Sequence, residues 1–215
     1  GGQVPLAQGY LADLYGYLNA NRIVTISDEV QTGFGRLGGW FWGFEMHGVV
    51  PDMVVLGKPM GNGHPIAAVI TTPEIADSFA NGMEFFSSFG GNPVSCEAAN
   101  AVLDVIEKEN LQSNAKEVGA FFKSQLLRLK EKYSCIADVR GEGLFLGIEF
   151  LSADGVPDKE KAILVRNELK NAFILTGTDG PHENVIKIKP PLCFNTNNVE
   201  EFVTKLDRIL KKNGG

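Results

Sequence analysis

The sequence predicts an α/β protein with a mostly parallel sheet covered on both faces, and three observations carry that reading. Short β-branched runs such as Met53-Val54-Val55-Leu56 and Ile66-Ala67-Ala68-Val69-Ile70 do not alternate cleanly between apolar and polar residues, as strands buried on both sides do not. Stretches of helical periodicity stand between and after them. Glycine crowds the connections at 31–43, 57–63 and 87–92, and loops at strand ends are where α/β proteins place chemistry. With 215 residues, 44% hydrophobic and 21% charged, the chain has the composition of an ordinary globular protein. At this length roughly 70% of the unfolded surface is buried, enough for a real core.

Taken in order, Tyr10, Leu11, Leu14, Tyr17 and Leu18 fall on one stripe and predict a surface helix over 6–20, packed on a core. A strand follows at Arg22–Ile26, with Asp28 closing the Ile23–Ser27 segment, and further strands at 53–56 and 66–70. Asn92 before Pro93 is an N-cap followed by proline at the first helical position, so a helix runs from 93 to about 107. A second helix spans 111–132 through Val118, Phe121, Phe122, Leu126 and Leu129. The remainder reads as a strand at 144–150, a helix at 158–171, short strands near 172–176 and 185–189, and a last helix. Val199, Phe202, Val203, Leu206, Ile209 and Leu210 mark its apolar face. No repeat or low-complexity tract interrupts this, and the change of pattern near 108 divides the chain into 1–107 and 108–215.

Charge divides the same way. Residues 1–107 hold eleven acids against Arg22, Arg36 and Lys58, whereas 108–215 hold fifteen acids and seventeen bases. The overall net charge of −6 argues against nucleic acid as the main partner. Cys96, Cys135 and Cys193 are odd in number and widely spaced, so reduced, buried thiols are expected rather than a disulfide framework or a zinc site. No apolar run reaches the roughly 20 residues of a membrane span, and the first residues lack a signal-peptide layout. A cytoplasmic protein is the expectation.

Gly33-Phe34-Gly35-Arg36-Leu37-Gly38 matches the G-x-G-x-x-G pattern of dinucleotide sites, but it runs into Gly39-Trp40-Phe41-Trp42-Gly43 where a phosphate-binding helix should open. Gly57-Lys58-Pro59 is no nucleotide-binding P-loop either, because its lysine precedes the glycines. Lys58 is nevertheless the most informative residue: it is the one lysine of residues 1–107 and follows an apolar strand. A partly desolvated lysine becomes an amine nucleophile or a base. Taken alone, such a lysine is more often ion-paired or simply exposed. Asp28, at the end of the preceding strand, would reach the same strand-end crevice; its ordinary roles are pairing with Arg22 or Arg36, or capping a turn. Ser87-Ser88-Phe89-Gly90-Gly91-Asn92-Pro93 combines hydroxyls, glycines and a helix start, the ingredients of an anion site, though also of a common capped loop. Together, an aspartate for a pyridinium nitrogen, a lysine and a phosphate-type loop are the three handles of pyridoxal phosphate.

Three ordered blocks, Asp28-Glu29-Val30-Gln31-Thr32-Gly33-Phe34-Gly35-Arg36, Gly57-Lys58-Pro59-Met60-Gly61-Asn62-Gly63-His64-Pro65 and Ser88-Phe89-Gly90-Gly91-Asn92-Pro93, resemble the signatures of class III pyridoxal-phosphate aminotransferases. The resemblance extends to Lys187-Ile188-Lys189-Pro190-Pro191-Leu192. The wording of these blocks and of the stretch from Asp179 to Phe194 is most similar to the ethanolamine-phosphate and phosphohydroxylysine phospho-lyases of that family. The resemblance implies fold type I, with 1–107 the second part of the cofactor-binding large domain and 108–215 the carboxy-terminal small domain. It implies a Schiff base between Lys58 and pyridoxal 5'-phosphate, with Lys58 then moving the substrate's proton. Asp28 would face the pyridinium nitrogen, Val30 the ring face, Gln31 the phenolic oxygen, and Ser88 the cofactor phosphate of a neighbouring subunit, hence a homodimer with shared sites. Lys187 stands where many members carry a carboxylate-gripping arginine, and is a substrate-binding candidate; a lysine lacks the planar two-point grip. A small amine or amino-phosphate is the implied substrate, with transamination or phosphate elimination as the reaction.

The resemblance also implies that the chain corresponds to the carboxy-terminal half of such an enzyme. A non-catalytic fragment or scaffold of the same fold is the alternative reading. A dinucleotide-dependent oxidoreductase is the more distant one, and assigns Lys58 no role.

Overall fold

A computed structural model of the chain describes residues 2–214. They divide into two compact units: 6–35 with 40–112, and 2–5 with 36–39 and 113–214.

The first unit contains α1 (Tyr10–Ala20), β1 (Ile26–Asp28), β2 (Met53–Leu56), β3 (Ala68–Thr71), α2 (Pro73–Phe79) and α3 (Pro93–Lys108). Its sheet has the order β1-β2-β3. β1 and β2 are parallel, with Asp28 opposite Val55, but β2 and β3 are antiparallel, with Leu56 opposite Ala68. The expectation of a mostly parallel sheet is therefore corrected. Only a short connection without an α-helix, 57–67, joins β2 to β3, and a parallel return needs a crossover of a dozen or more residues.

The apolar stripe of α1 also fails as a core face: no residue of this helix is buried, and Tyr10 and Tyr17 are exposed. The helix ends in a Schellman motif, with Arg22 at positive φ and Ile23 N–H donating to Leu18 O at 2.9 Å. Arg22 and Ile23 thus belong to the helix exit, which delays the strand expected at 22–26. The start of α3 is as expected, Asn92 accepting from Ser95 N–H at 2.9 Å ahead of Pro93.

The second unit contains most of α4 (Leu111–Lys132), then β4 (Ile136–Glu142), β5 (Phe145–Phe150), α5 (Lys159–Asn171), β6 (Gly177–Asp179), β7 (Val185–Ile188) and α6 (Thr196–Lys212). Its four strands form an antiparallel sheet in the order β4-β5-β7-β6. Phe122 and Leu126 of α4, Val165 and Leu169 of α5, and Leu206 of α6 pack against Leu146, Ile148 and Ile186 of the sheet, all fully buried. Burial of each such side chain contributes about 1.5–3 kcal/mol relative to exposure. Phe202 meets Phe122 edge to face at 5.1 Å.

β4 was not expected, and the strand expected at 172–176 is instead a helix exit. Phe173 takes a left-handed conformation while Ile174 N–H bonds Leu169 O, a Schellman motif without its usual glycine. Residues 36–39 are held in this unit: Arg36 Nη1 donates to Pro190 O at 2.8 Å, and a side chain on Gly38, at φ +73°, would overlap Lys116.

The cysteines are free, as expected, but the expectation that they are buried is corrected: Cys96 and Cys193 are exposed and Cys135 is half-buried. On α3 the buried positions are Ser95, Ala99 and Ile106, and Cys96 lies on the flank of the helix, off that buried face. Among the described residues no helix is long and apolar enough to cross a membrane.

Candidate active site

The parallel pairing of β1 and β2 brings two strand ends to one edge of the first unit. Asp28, the last residue of β1, registers with Val55; one step further, Glu29 N–H donates to Val55 O at 3.0 Å. Gly57 and Lys58 follow directly from β2. The carboxylate and the amine therefore arise from adjacent chain ends, as the strand-end reading requires.

Asp28 is exposed, and its Oδ1 accepts from Val30 N–H at 3.0 Å, closing the turn after the strand. Among the described residues neither Arg22 nor Arg36 pairs with it, the Nη1 of Arg36 being spent on the carbonyls of Leu144 and Pro190. Oδ2 is left without a partner among those residues. Val30 is half-buried, and its Cγ2 lies 3.5 Å from where a side chain on Gly57 would begin. Gln31 follows, exposed, in the same turn.

Lys58 opens a single 3₁₀ turn, Lys58–Met60, with φ +29°, a conformation L-residues avoid. Met60 N–H bonds Gly57 O at 2.9 Å, and Gly61 admits no side chain because one would overlap the carbonyl of His64. The lysine is exposed, and among the described residues it has no ion-pair partner. Of the two ordinary roles of such a lysine, ion pair or exposed loop residue, Lys58 shows the exposed one, and it is not partly desolvated among the described residues.

Ser88 is exposed on the loop before α3. Ser87 Oγ accepts from Gly90 N–H at 2.9 Å, so that hydroxyl shapes the loop itself while Ser88 faces outward. Phe85, Phe86 and Phe89 around it are 74–83% exposed. Lys187 lies in the second unit, on β7 opposite Gly177, and its ammonium is 3.6 Å from Asp179. Asp179 is held below the usual carboxylate range by the N–H of Gly180 and then by Lys187.

Two features were not legible in the sequence. Glu29 is 1% exposed, and its carboxylate accepts four hydrogen bonds, from Ser27 Oγ, Thr32 Oγ1, Gly43 N–H and Phe44 N–H. It clamps the turn that carries Val30 and Gln31. His64 Nε2 lies 2.8 Å from the Oγ of buried Ser95. Both depend on partners distant in the chain, and an isolated Glu or His carries no local signal of them.

A family model described as aminotransferase class III matches residues 1–210. The chain is 49% identical over 207 residues to a Drosophila melanogaster protein named alanine–glyoxylate aminotransferase 2-like, covering 94% of this chain and 42% of that protein. It is 43% identical over 215 residues to ethanolamine-phosphate phospho-lyase homolog 1 of Caenorhabditis elegans, covering 98% and 46%. It therefore spans less than half the length of these curated relatives. Among solved structures, a phospholyase from Arthrobacter in complex with phosphoethanolamine superposes with a TM-score of 0.94 at 37% identity, over 98% of this chain and 50% of that one.

Proposed function

This chain belongs to the class III aminotransferase family, whose fold it shares, and from that premise we propose that it forms the lysine-bearing part of a pyridoxal-phosphate enzyme acting on a small amine. The observation that carries the proposal is the shared edge of β1 and β2, where Asp28 and Lys58 leave adjacent strands. The residues fit the cofactor: Oδ2 of Asp28 and the Lys58 amine are unpartnered among the described residues, and bare Gly57 lies beside Val30. Pyridoxal phosphate supplies a carbonyl that captures amines and a cationic ring that accepts an electron pair.

In this reading the carboxylate of Asp28 keeps a proton on the ring nitrogen. Val30 supports the ring face, and Gln31 approaches the phenolic oxygen. Lys58 would hold the cofactor through its amine, and its Nζ, when free, would serve as the base that moves the proton from the carbon next to the substrate's nitrogen. Ser88 binds phosphate for a second copy of the chain in a homodimer. The exposed aromatic residues flanking Ser88 support a buried surface there. Three free thiols suit a reducing compartment such as the cytosol.

The reaction is transamination or elimination of phosphate from an amino-phosphate. One observation weighs against a carboxylate-bearing substrate: Lys187, the substrate-side candidate, already has a carboxylate neighbour in Asp179 and lacks the planar two-point grip of an arginine. For ethanolamine phosphate the balance is substrate plus water giving acetaldehyde, ammonia and phosphate.

The test is borohydride reduction of the full polypeptide with pyridoxal phosphate, followed by peptide mapping. A pyridoxyl mass on the peptide holding Lys58 is expected, with phosphate release from ethanolamine phosphate. Labelling elsewhere, or none, overturns the assignment; an oxo product without phosphate release identifies transamination instead.

A further inference from the structure

The turn carrying Lys58 is strained. Lys58, Asn62 and Gly63 have φ of +29°, +46° and +106° within six residues, and left-handed non-glycine residues persist only where the surroundings over-determine them. Backbone bonds close the turns internally, Met60 N–H to Gly57 O and His64 N–H to Gly61 O. Internal bonds do not say where the loop is held, however.

His64 does. Its Nε2 lies 2.8 Å from Ser95 Oγ, and Ser95 is only 8% exposed at the start of α3. The same Oγ receives Asn92 Nδ2–H at 2.9 Å, and Asn92 accepts in turn from Ser95 N–H. Asn92 Nδ2 also donates to Phe89 O at 2.8 Å, one residue from Ser88. A continuous hydrogen-bonded chain therefore runs from the far end of the lysine loop, through His64, Ser95 and Asn92, into the backbone of the Ser88 loop. With one acceptor site of Ser95 taken by Asn92, the hydroxyl still has its own proton and a second lone pair for His64, so either imidazole tautomer completes the link.

We propose that His64 is a positioning residue that fastens the Lys58 turn to the capped start of α3, and so keeps the lysine loop and the phosphate-type loop in a fixed relation. The proposal deepens the functional reading above and rests on it for the cofactor. The mechanical link itself requires only this chain's own bonds. His64 touches no reacting atom here; it acts through the backbone between residues 58 and 64. Removing its imidazole leaves Ser95 with an unfilled site and frees the far end of the strained loop, so the internal turn bonds donated by Met60 and Asn62 open more often.

The experiment compares the full polypeptide with its H64A, H64Q, S95A and H64A/S95A variants by two readouts. In the first, amide hydrogen exchange without cofactor, H64A is expected to speed exchange about tenfold both at Met60 and Asn62 and at Asn92 and Cys96. H64Q, which retains a group able to donate or accept at the Nε2 position, is expected to restore protection. In the second, pyridoxal phosphate titration by absorbance, H64A and S95A each are expected to weaken binding about tenfold. The double variant should be no worse than either single one, because both cut the same link. Unchanged exchange at the Asn92 side in H64A overturns the link, as do additive losses in the double variant or failure of H64Q to restore a folded H64A. If the parent protein binds no pyridoxal phosphate, the functional reading fails while the exchange readout still decides for or against the His64 link.

Discussion

Replacing Glu29 by Gln removes a charge and half of an acceptor set while leaving the side chain's volume almost unchanged. Oε1 takes Ser27 Oγ and Phe44 N–H, both at 3.0 Å, and Oε2 takes Thr32 Oγ1 and Gly43 N–H, both at 2.7 Å. All four partners donate, so an amide keeps at most one oxygen in place and turns its NH₂ toward a backbone N–H that cannot reverse. A hydroxyl can rotate; the N–H of Gly43 or Phe44 cannot, and it is left unpaired beside a buried site. A lost charge-assisted bond with an orphaned donor costs about 3 kcal/mol. With a urea slope of about 2 kcal/mol per M, the midpoint should fall by about 1.5 M. Tryptophan fluorescence is the suitable probe. Trp40 and Trp42 are the only tryptophans, and Trp42 directly precedes Gly43 while packing on Phe34 at 5.3 Å. A shift below about 0.3 M would refute the view that this carboxylate clamps the turn.

Gly38 and Gly9 both have positive φ, +73° and +83°, but only Gly38 has a crowded side-chain direction, against Lys116. Gly9→Ala should cost about 1 kcal/mol and Gly38→Ala about 3 kcal/mol or more, compared by thermal or urea unfolding; equal costs would mean that conformation rather than packing decides. Asp207 accepts from Lys132 Nζ at 2.6 Å and Tyr133 Oη at 2.9 Å, and the lysine bond foremost lowers its pKa from the ordinary 3.8. Because the folded value is depressed, its stabilisation is present above pH 3.8 and fades as pH falls through the folded value. Asp207→Asn should therefore lower stability near neutrality by at most about 1 kcal/mol and flatten the acid limb of a stability-versus-pH curve. An unchanged acid limb would remove Asp207 from the account. Lys58→Ala should abolish borohydride-stable labelling and reduce turnover by at least about 100-fold, measured by product release; persistent labelling would point to another lysine.

The elements that were legible in the sequence are those whose causes are local. Asn92 and Pro93 start α3 because a cap and a fixed φ act within three residues, and the apolar face of α6 recurs at helical spacing, so Phe202, Leu206 and Leu210 turn inward together. Lys58, Asp28 and the loop holding Ser88 stood out through residue type at strand ends and beside glycines, whereas Val30, Gln31 and Lys187 were implied only by the resemblance of the blocks that hold them. Elsewhere local signals misled. The stripe of α1 has the right spacing, but among the described residues its leucines are only half-buried, and Phe173 closes a helix where glycine is usual, so Ala172–Thr176 resembled a strand. β4 contains Asp138, Arg140 and Gly141, and became a strand only through its pairing with β5.

Sequence alone thus determined which side chains could do chemistry, because donor, acceptor and nucleophile are properties of a residue. Tertiary structure decided which of them meet. The parallel register of β1 on β2 sets Asp28 and Lys58 at one edge, the fold around Glu29 gathers donors from residues 27 to 44, and the start of α3 carries Ser95 to His64. The physical reason is that a hydrogen bond or strand pairing across tens of residues depends on the geometry of the whole unit, whereas a cap or a helical stripe depends only on its neighbours.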